Sequence, residues 1–138
     1  MGKNNIKVKK KPQRPERERA TTVLVIDDVR IFEFPDANIT YARTSNDALS
    51  LLGNQASWDE VWWDHDLGGT DTTRPVVRYL EERWHSENDT RWEIAQHNIV
   101  TDNPAGAAYL VQVFEYWQVP FRRVSGITPF AIDLSRTF

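Results

Sequence analysis

An α/β fold, a doubly wound parallel sheet of five strands, is predicted by three features of the sequence. Apolar, β-branched runs alternate with amphipathic helical stretches, which implies strand–helix–strand crossovers and a parallel sheet with helices on both faces. The first run, residues 22–26 (TVLVI), is apolar or β-branched throughout, as in a strand buried on both sides. Three runs end abruptly in polar residues, Asp27-Asp28, Asp64-His65-Asp66 and Thr101-Asp102-Asn103, where open α/β sheets place their ligands.

Residues 22–26 form the first predicted strand and residues 39–42 the second. Thr44 is the N-cap of the helix between them and the third strand: its hydroxyl can accept an unpaired N–H, and Asp47 follows three residues on. Leu49 and Leu52 share one face of that helix, and Gly53 is its expected stop. Residues 60–63 are the third strand, with Trp62 and Trp63 pointing to opposite faces. Pro75 suits the first turn of a second helix, in which Val76, Val77, Leu80 and Trp84 mark the buried face and Arg78 and Glu82 form an i,i+4 pair. Residues 97–101 are the fourth strand. Asn103-Pro104 opens a third helix with an N-cap followed by proline, and Leu110, Val113, Phe114 and Trp117 stripe it. Residues 121–124 are the fifth strand. Five strands in this length fit the flavodoxin-like order 2-1-3-4-5. Ile127, Phe130, Ile132, Leu134 and Phe138 make no clean helical stripe, so the last helix of such a fold is expected to be short, missing or replaced.

The chain has 138 residues, enough for one domain. It has no cysteine, which excludes a disulfide scaffold, Cys-ligated zinc, an iron–sulfur cluster and a thiol nucleophile. No apolar run is long enough to span a membrane and no apolar stretch follows the first lysines, so a cytoplasmic setting is expected. The charge is divided. Residues 1–20 carry eight Lys/Arg against Glu16 and Glu18, a balance of +6, whereas the remaining 118 residues carry nine Lys/Arg against eighteen Asp/Glu, a balance of −9. Three segments follow: a basic arm over 1–20, expected to be disordered when alone, an α/β domain over 21–126, and a C-terminal tail over 127–138. Lys9, Lys10, Lys11 and Arg14 are the arm's candidate contacts to nucleic acid; a solubilising tail is the alternative.

Converging carboxylates repel unless a proton or a cation intervenes, and oxygen ligands favour Mg²⁺, Mn²⁺ or Ca²⁺. Asp28 and Asp64, supported by Asp27, are the candidate ligands of Mg²⁺ or Mn²⁺, with Asp66 behind them. His65 lies between acids that favour its imidazolium, which suits a general acid; a surface histidine is the plainer reading. The helix opening at 103–106 offers N–H groups and a dipole to a phosphate, or is an ordinary cap. Arg30, Thr101, Asn103 and Gly106 are therefore the candidate phosphate contacts.

Ile26-Asp27-Asp28-Val29-Arg30, Asp64-His65-Asp66-Leu67-Gly68 and Thr101-Asp102-Asn103-Pro104-Ala105-Gly106 resemble the three signatures of the cyclic-phosphate processing receiver-like domains, found in bacteria and their phages. The resemblance spans roughly residues 22–124. It implies a receiver-like fold, an acidic metal site, and action on cyclic phosphates of nucleotides or RNA ends, in the bacterial host cell if the protein is phage-encoded. Two positions depart from the pattern. Val100 stands where the family's third signature has histidine, with Thr101 for serine, so a second histidine must come from elsewhere, His97 being the nearest. The lysine that response-regulator receivers carry after the fifth strand is missing from residues 121–126 (FRRVSG).

The expected activity is that of a divalent-metal phosphoesterase in which Asp64 and His65 are catalytic. The alternative is a non-catalytic receiver-like module that binds a nucleotide or a host protein.

Overall fold

The computed structural model describes residues 21–86, 89–124 and 131–134; the basic arm and most of the C-terminal tail lie outside them. Five parallel strands form the main sheet: β1 (Thr21–Ile26), β3 (Ala37–Ala42), β4 (Trp58–Trp63), β5 (Ile94–Val100) and β6 (Phe121–Val124), in the spatial order β3-β1-β4-β5-β6. This is the predicted 2-1-3-4-5 arrangement, with one extra short strand, β2 (Arg30–Phe32), inserted after β1. Among the described residues three α-helices connect the strands, α1 (Ser45–Asn54), α2 (Arg74–Ser86) and α3 (Pro104–Trp117), with a 3-10 turn at Arg91–Glu93 leading into β5.

The helices form where the sequence puts their signals. Thr44 Oγ1 accepts the Asp47 N–H at 3.0 Å, and the side-chain oxygen of Asn103 accepts the N–H groups of both Ala105 and Gly106. The buried face of α2 is Val76, Val77, Leu80 and Trp84, as its periodicity predicts. α1 passes Gly53 and ends one residue later, closed by the Gln55 N–H on the Leu51 carbonyl. β5 begins three residues earlier than expected, because Ile94 is buried and pairs with Trp58.

The second layer differs from expectation. The three α-helices pack on one face of the sheet, in a single core with Leu24, Ile26, Val61, Trp63 and Ile99. Handedness explains this. The crossovers β3-α1-β4, β4-α2-β5 and β5-α3-β6 all advance in the same direction across the sheet, and right-handed connections then fall on the same side. The connection from β1 to β3 runs the other way and would put a helix on the opposite face, but it spans only residues 27–36 and carries β2 instead. On that face Phe32 lies 5.0 Å from Trp62 and joins Val23, Val25 and Val100 in a second cluster. Trp62 and Trp63 are thus both core residues, one in each layer.

β2 pairs antiparallel with β7 (Ala131–Asp133), in the register Arg30↔Asp133, Ile31↔Ile132 and Phe32↔Ala131. Part of the segment expected to be a separate tail therefore supplies a strand. The described residues beyond β6 contain no closing helix.

Candidate functional site

The site is built at the carboxyl ends of β1, β4 and β5. The Asp27 N–H bonds the Ala42 carbonyl at 3.1 Å and the Asp64 N–H bonds the Ile26 carbonyl at 2.9 Å, so the sheet ladder itself brings these two acids side by side. Carboxylate oxygens of Asp27, Asp28 and Asp64 lie within 4.8 Å of one another. Asp27 is fully buried, and Asp64 is only 6% exposed.

Asp27 is largely spent on local structure. Its Oδ1 accepts the N–H groups of Val29 and Arg30, both at 2.9 Å, which turns the chain from β1 into β2. Its Oδ2 accepts from Arg30 at 2.8 Å. Arg43 braces the same turn by donating to the Asp27 and Arg30 carbonyls at 2.9 and 2.7 Å, while its guanidinium lies over the Tyr41 ring.

Arg30 has a setting unlike the phosphate-facing one expected of it. It is 2% exposed, and its guanidinium meets Asp27 at 2.8 Å, Asp102 at 3.1 Å and Asp64 at 3.5 Å. Its position in β2 drives it inward among the carboxylates. Burial works to lower its pKa, but hydrogen bonding and charge from Asp27, then the charges of Asp64 and Asp102, raise it overall. Arg30 is a fixed internal cation. It does not satisfy the whole cluster: burial first, then the charge of Asp27, push the Asp64 carboxyl up to about 7 against the opposing pull of Thr101 and Arg30. Thr101 is 8% exposed; its hydroxyl hydrogen-bonds Asp64 and accepts the Asn103 N–H at 3.2 Å.

This donor set fits a divalent cation. Asp28 and Asp64 offer hard oxygen donors, Asp27 stands close behind them, and burial together with the charge of Asp27 raises the Asp64 carboxyl, as mutual repulsion among such groups does.

A second group lies beside it. Asp64 is followed by His65, 7% exposed, with Nδ1 at 3.0 Å from Asp66 Oδ1 and Nε2 accepting from Arg74 Nε at 3.2 Å. With Nδ1–H directed at Asp66, Nε2 is the ring nitrogen whose lone pair faces the Arg74 Nε–H. Asn103 donates to the other oxygen of Asp66 at 2.9 Å, and this bond, ahead of His65, holds the Asp66 carboxyl below the usual carboxylate range. The Arg74 guanidinium lies 3.9 Å from the centre of the Tyr109 ring, and Tyr109 meets His65 edge-on at 5.7 Å.

Asn103 and Gly106 also have settings of their own. The N–H groups of Ala105 and Gly106 are taken by the Asn103 side chain. Gly106 makes room for the histidine: a Cβ there would stand 2.6 Å from both Cβ and Cγ of His65. Gly68, at φ +92°, gives the loop after β4 a backbone that L side chains rarely adopt, and a Cβ there would meet Asp28 at 3.4 Å.

The sequence matches the family described as "Cyclic-phosphate processing Receiver domain" over residues 22–116. The chain belongs to this family. Among solved structures, it is similar to a yeast Spc42 trimeric coiled coil (amino acids 181–211) fused to another structure, with a TM-score of 0.50, 14% identity, and coverage of 80% of this chain and 71% of that one. It is also similar to the response regulator domain of Thermotoga maritima CheB, at a TM-score of 0.49 and 17% identity, covering 80% of this chain and 84% of that one. The first likeness concerns the fold alone. No curated protein matches the sequence.

As a receiver-like domain of a cyclic-phosphate processing family, the chain has one histidine at its acidic crevice. His97, the candidate replacement for the family's second histidine, is fully buried among Trp63, Phe114 and Trp117, with Nδ1 accepting from Trp63 at 3.1 Å. Burial lowers its pKa to about 3, so it is a neutral core residue. Lys9, Lys10, Lys11 and Arg14 fall outside the described residues. Sequence reasoning missed Arg74, Tyr109 and Arg43, and did not single out Asp102 as a partner for Arg30. The signal for Arg74 was available: it immediately precedes Pro75 at the start of a helix that follows the Asp64-His65-Asp66 loop.

Proposed function

We propose that this domain is a divalent-metal-dependent phosphoesterase acting on a cyclic phosphate of a nucleotide or an RNA end. The observation that carries the reading is the convergence of Asp27, Asp28 and Asp64, whose carboxylate oxygens lie within 4.8 Å of one another, at a site where burial and the charge of Asp27 raise the Asp64 carboxyl. Asp28 and Asp64 would hold Mg²⁺ or Mn²⁺, which when bound supplies positive charge to the phosphate and lowers the pKa of water. Asp27 positions Arg30, whose fixed charge offsets repulsion among the acids and spares the cation part of that task. Thr101 orients the Asp64 carboxylate.

His65 moves the proton. Asp66 fixes Nδ1–H, so Nε2 is the nitrogen that takes a proton from the attacking water and returns one to the departing ribose oxygen. A single histidine serves both steps, since His97 is enclosed in the core. That same enclosure favours the second reading, a module that binds a nucleotide without turnover. Phosphorus NMR of cyclic nucleotides and cyclic-phosphate RNA ends, with and without Mg²⁺ or Mn²⁺, separates the two. Metal-dependent appearance of a monoester supports the phosphoesterase, and metal-dependent binding with no product supports the module.

A further inference from the structure

We propose that Arg74, seated on Tyr109, is the oxyanion receptor of this crevice and takes the phosphate of the substrate; the assignment rests on the phosphoesterase reading. Anion contacts are needed because the groups that the sequence offered are occupied. Arg30 is buried among Asp27, Asp64 and Asp102. The first N–H groups of α3 are capped by Asn103, and Thr101 is engaged by Asp64 and by the Asn103 N–H.

Arg74 is different in kind. It is exposed at the first position of α2, yet it is not loose: the Tyr109 ring supports its guanidinium plane at 3.9 Å and its Nε is tied to His65. Among the described residues, neither of its terminal nitrogens has a hydrogen-bond or ion-pair partner. A planar fork of unspent donors, immobilised before a ligand arrives, is the arrangement that binds an oxyanion bidentately at low entropic cost. Its place beside the proton-carrying histidine sets the anion next to the group that must serve it. The contact also couples binding to chemistry. An anion that draws the guanidinium toward itself withdraws Nε–H from His65 and releases Nε2 from that contact.

The test is a titration of the full chain with inorganic phosphate, followed by the arginine side-chain ¹H–¹⁵N signals and by the backbone amides of His65 and Tyr109. Wild type is expected to show a saturable displacement of the Arg74 Nε–H signal. Arg74→Lys keeps the charge but loses the fork, and is expected to weaken phosphate binding about tenfold or more. Tyr109→Leu, which removes the platform and leaves the arginine, is expected to weaken it by a smaller factor. Undisplaced Arg74 signals at saturating phosphate, or wild-type affinity in Arg74→Lys, would overturn the proposal. Turnover distinguishes the two levels of inference. If wild type hydrolyses no cyclic phosphate but Arg74 still captures phosphate, the phosphoesterase reading falls and the receptor stands. If wild type turns over and Arg74→Lys leaves KM unchanged, the receptor falls and the reading stands.

Discussion

Asp64 sits among carboxylates whose repulsion Arg30 only partly offsets, and burial together with Asp27 raises its carboxyl from 3.8 to about 7. Between those values the folded protein, free of divalent cation, holds a proton that the unfolded chain has lost. The Asp64 contribution to folding stability therefore falls as pH rises from about 4 to about 7, by on the order of 4 kcal/mol. Asp64→Asn removes this titration, and denaturant unfolding across that range in the presence of a chelator checks it. The variant should lose most of the slope and be the more stable protein at neutral pH; an unchanged slope would place the titration elsewhere. Gly106 offers an independent test. A methyl group there would overlap His65, so Gly106→Ala should cost about 1–3 kcal/mol by thermal unfolding and shift the His65 ring resonances. Full stability with an undisturbed ring would show that α3 can retreat freely.

At the scale of elements, what was legible in the sequence followed from periodicity and what was not followed from distance along the chain. α2 declared its buried face through Val76, Val77, Leu80 and Trp84, and α3 its start through Asn103-Pro104. The crevice was legible too, because strand ends in an open α/β sheet point to one side, so Asp27 and Asp64 could be placed together before any coordinates. β2 and β7 were not legible. Each is three residues long, too short for an alternating pattern to register, and their partners are about a hundred residues apart in the chain. Missing them hid the reason that Arg30 is buried. The ribbon they form is a separate two-stranded sheet and should open more readily than the main sheet. Truncation after residue 126 should accelerate amide exchange at Ile31 and Phe32 while β1, β4 and β5 stay protected. Loss of protection throughout the sheet would mean instead that the ribbon holds the domain together.

For the whole molecule, the division of charge between a +6 arm and a −9 remainder is written in the sequence, but its use is a matter for solution experiments. The reading offered for the arm is contact with nucleic acid, which would deliver an RNA end to the crevice. Eight basic residues neutralising several phosphates give affinity that falls steeply with salt, so deleting residues 1–20 should weaken RNA binding and flatten its salt dependence. Unchanged affinity and slope would remove the arm from the account. Within the remainder, the acidic balance has a local meaning at the site: three carboxylates and one buried arginine form a pocket still short of positive charge, which is what a divalent cation and a phosphate together would complete. The most direct measurement of that claim is hydrolysis of a 2′,3′-cyclic nucleotide followed by phosphorus NMR, with Mn²⁺ and with a chelator, for wild type and Asp64→Ala. Monoester should accumulate only in the wild-type sample containing the metal. Equal hydrolysis by Asp64→Ala, or by wild type in chelator, would contradict the account.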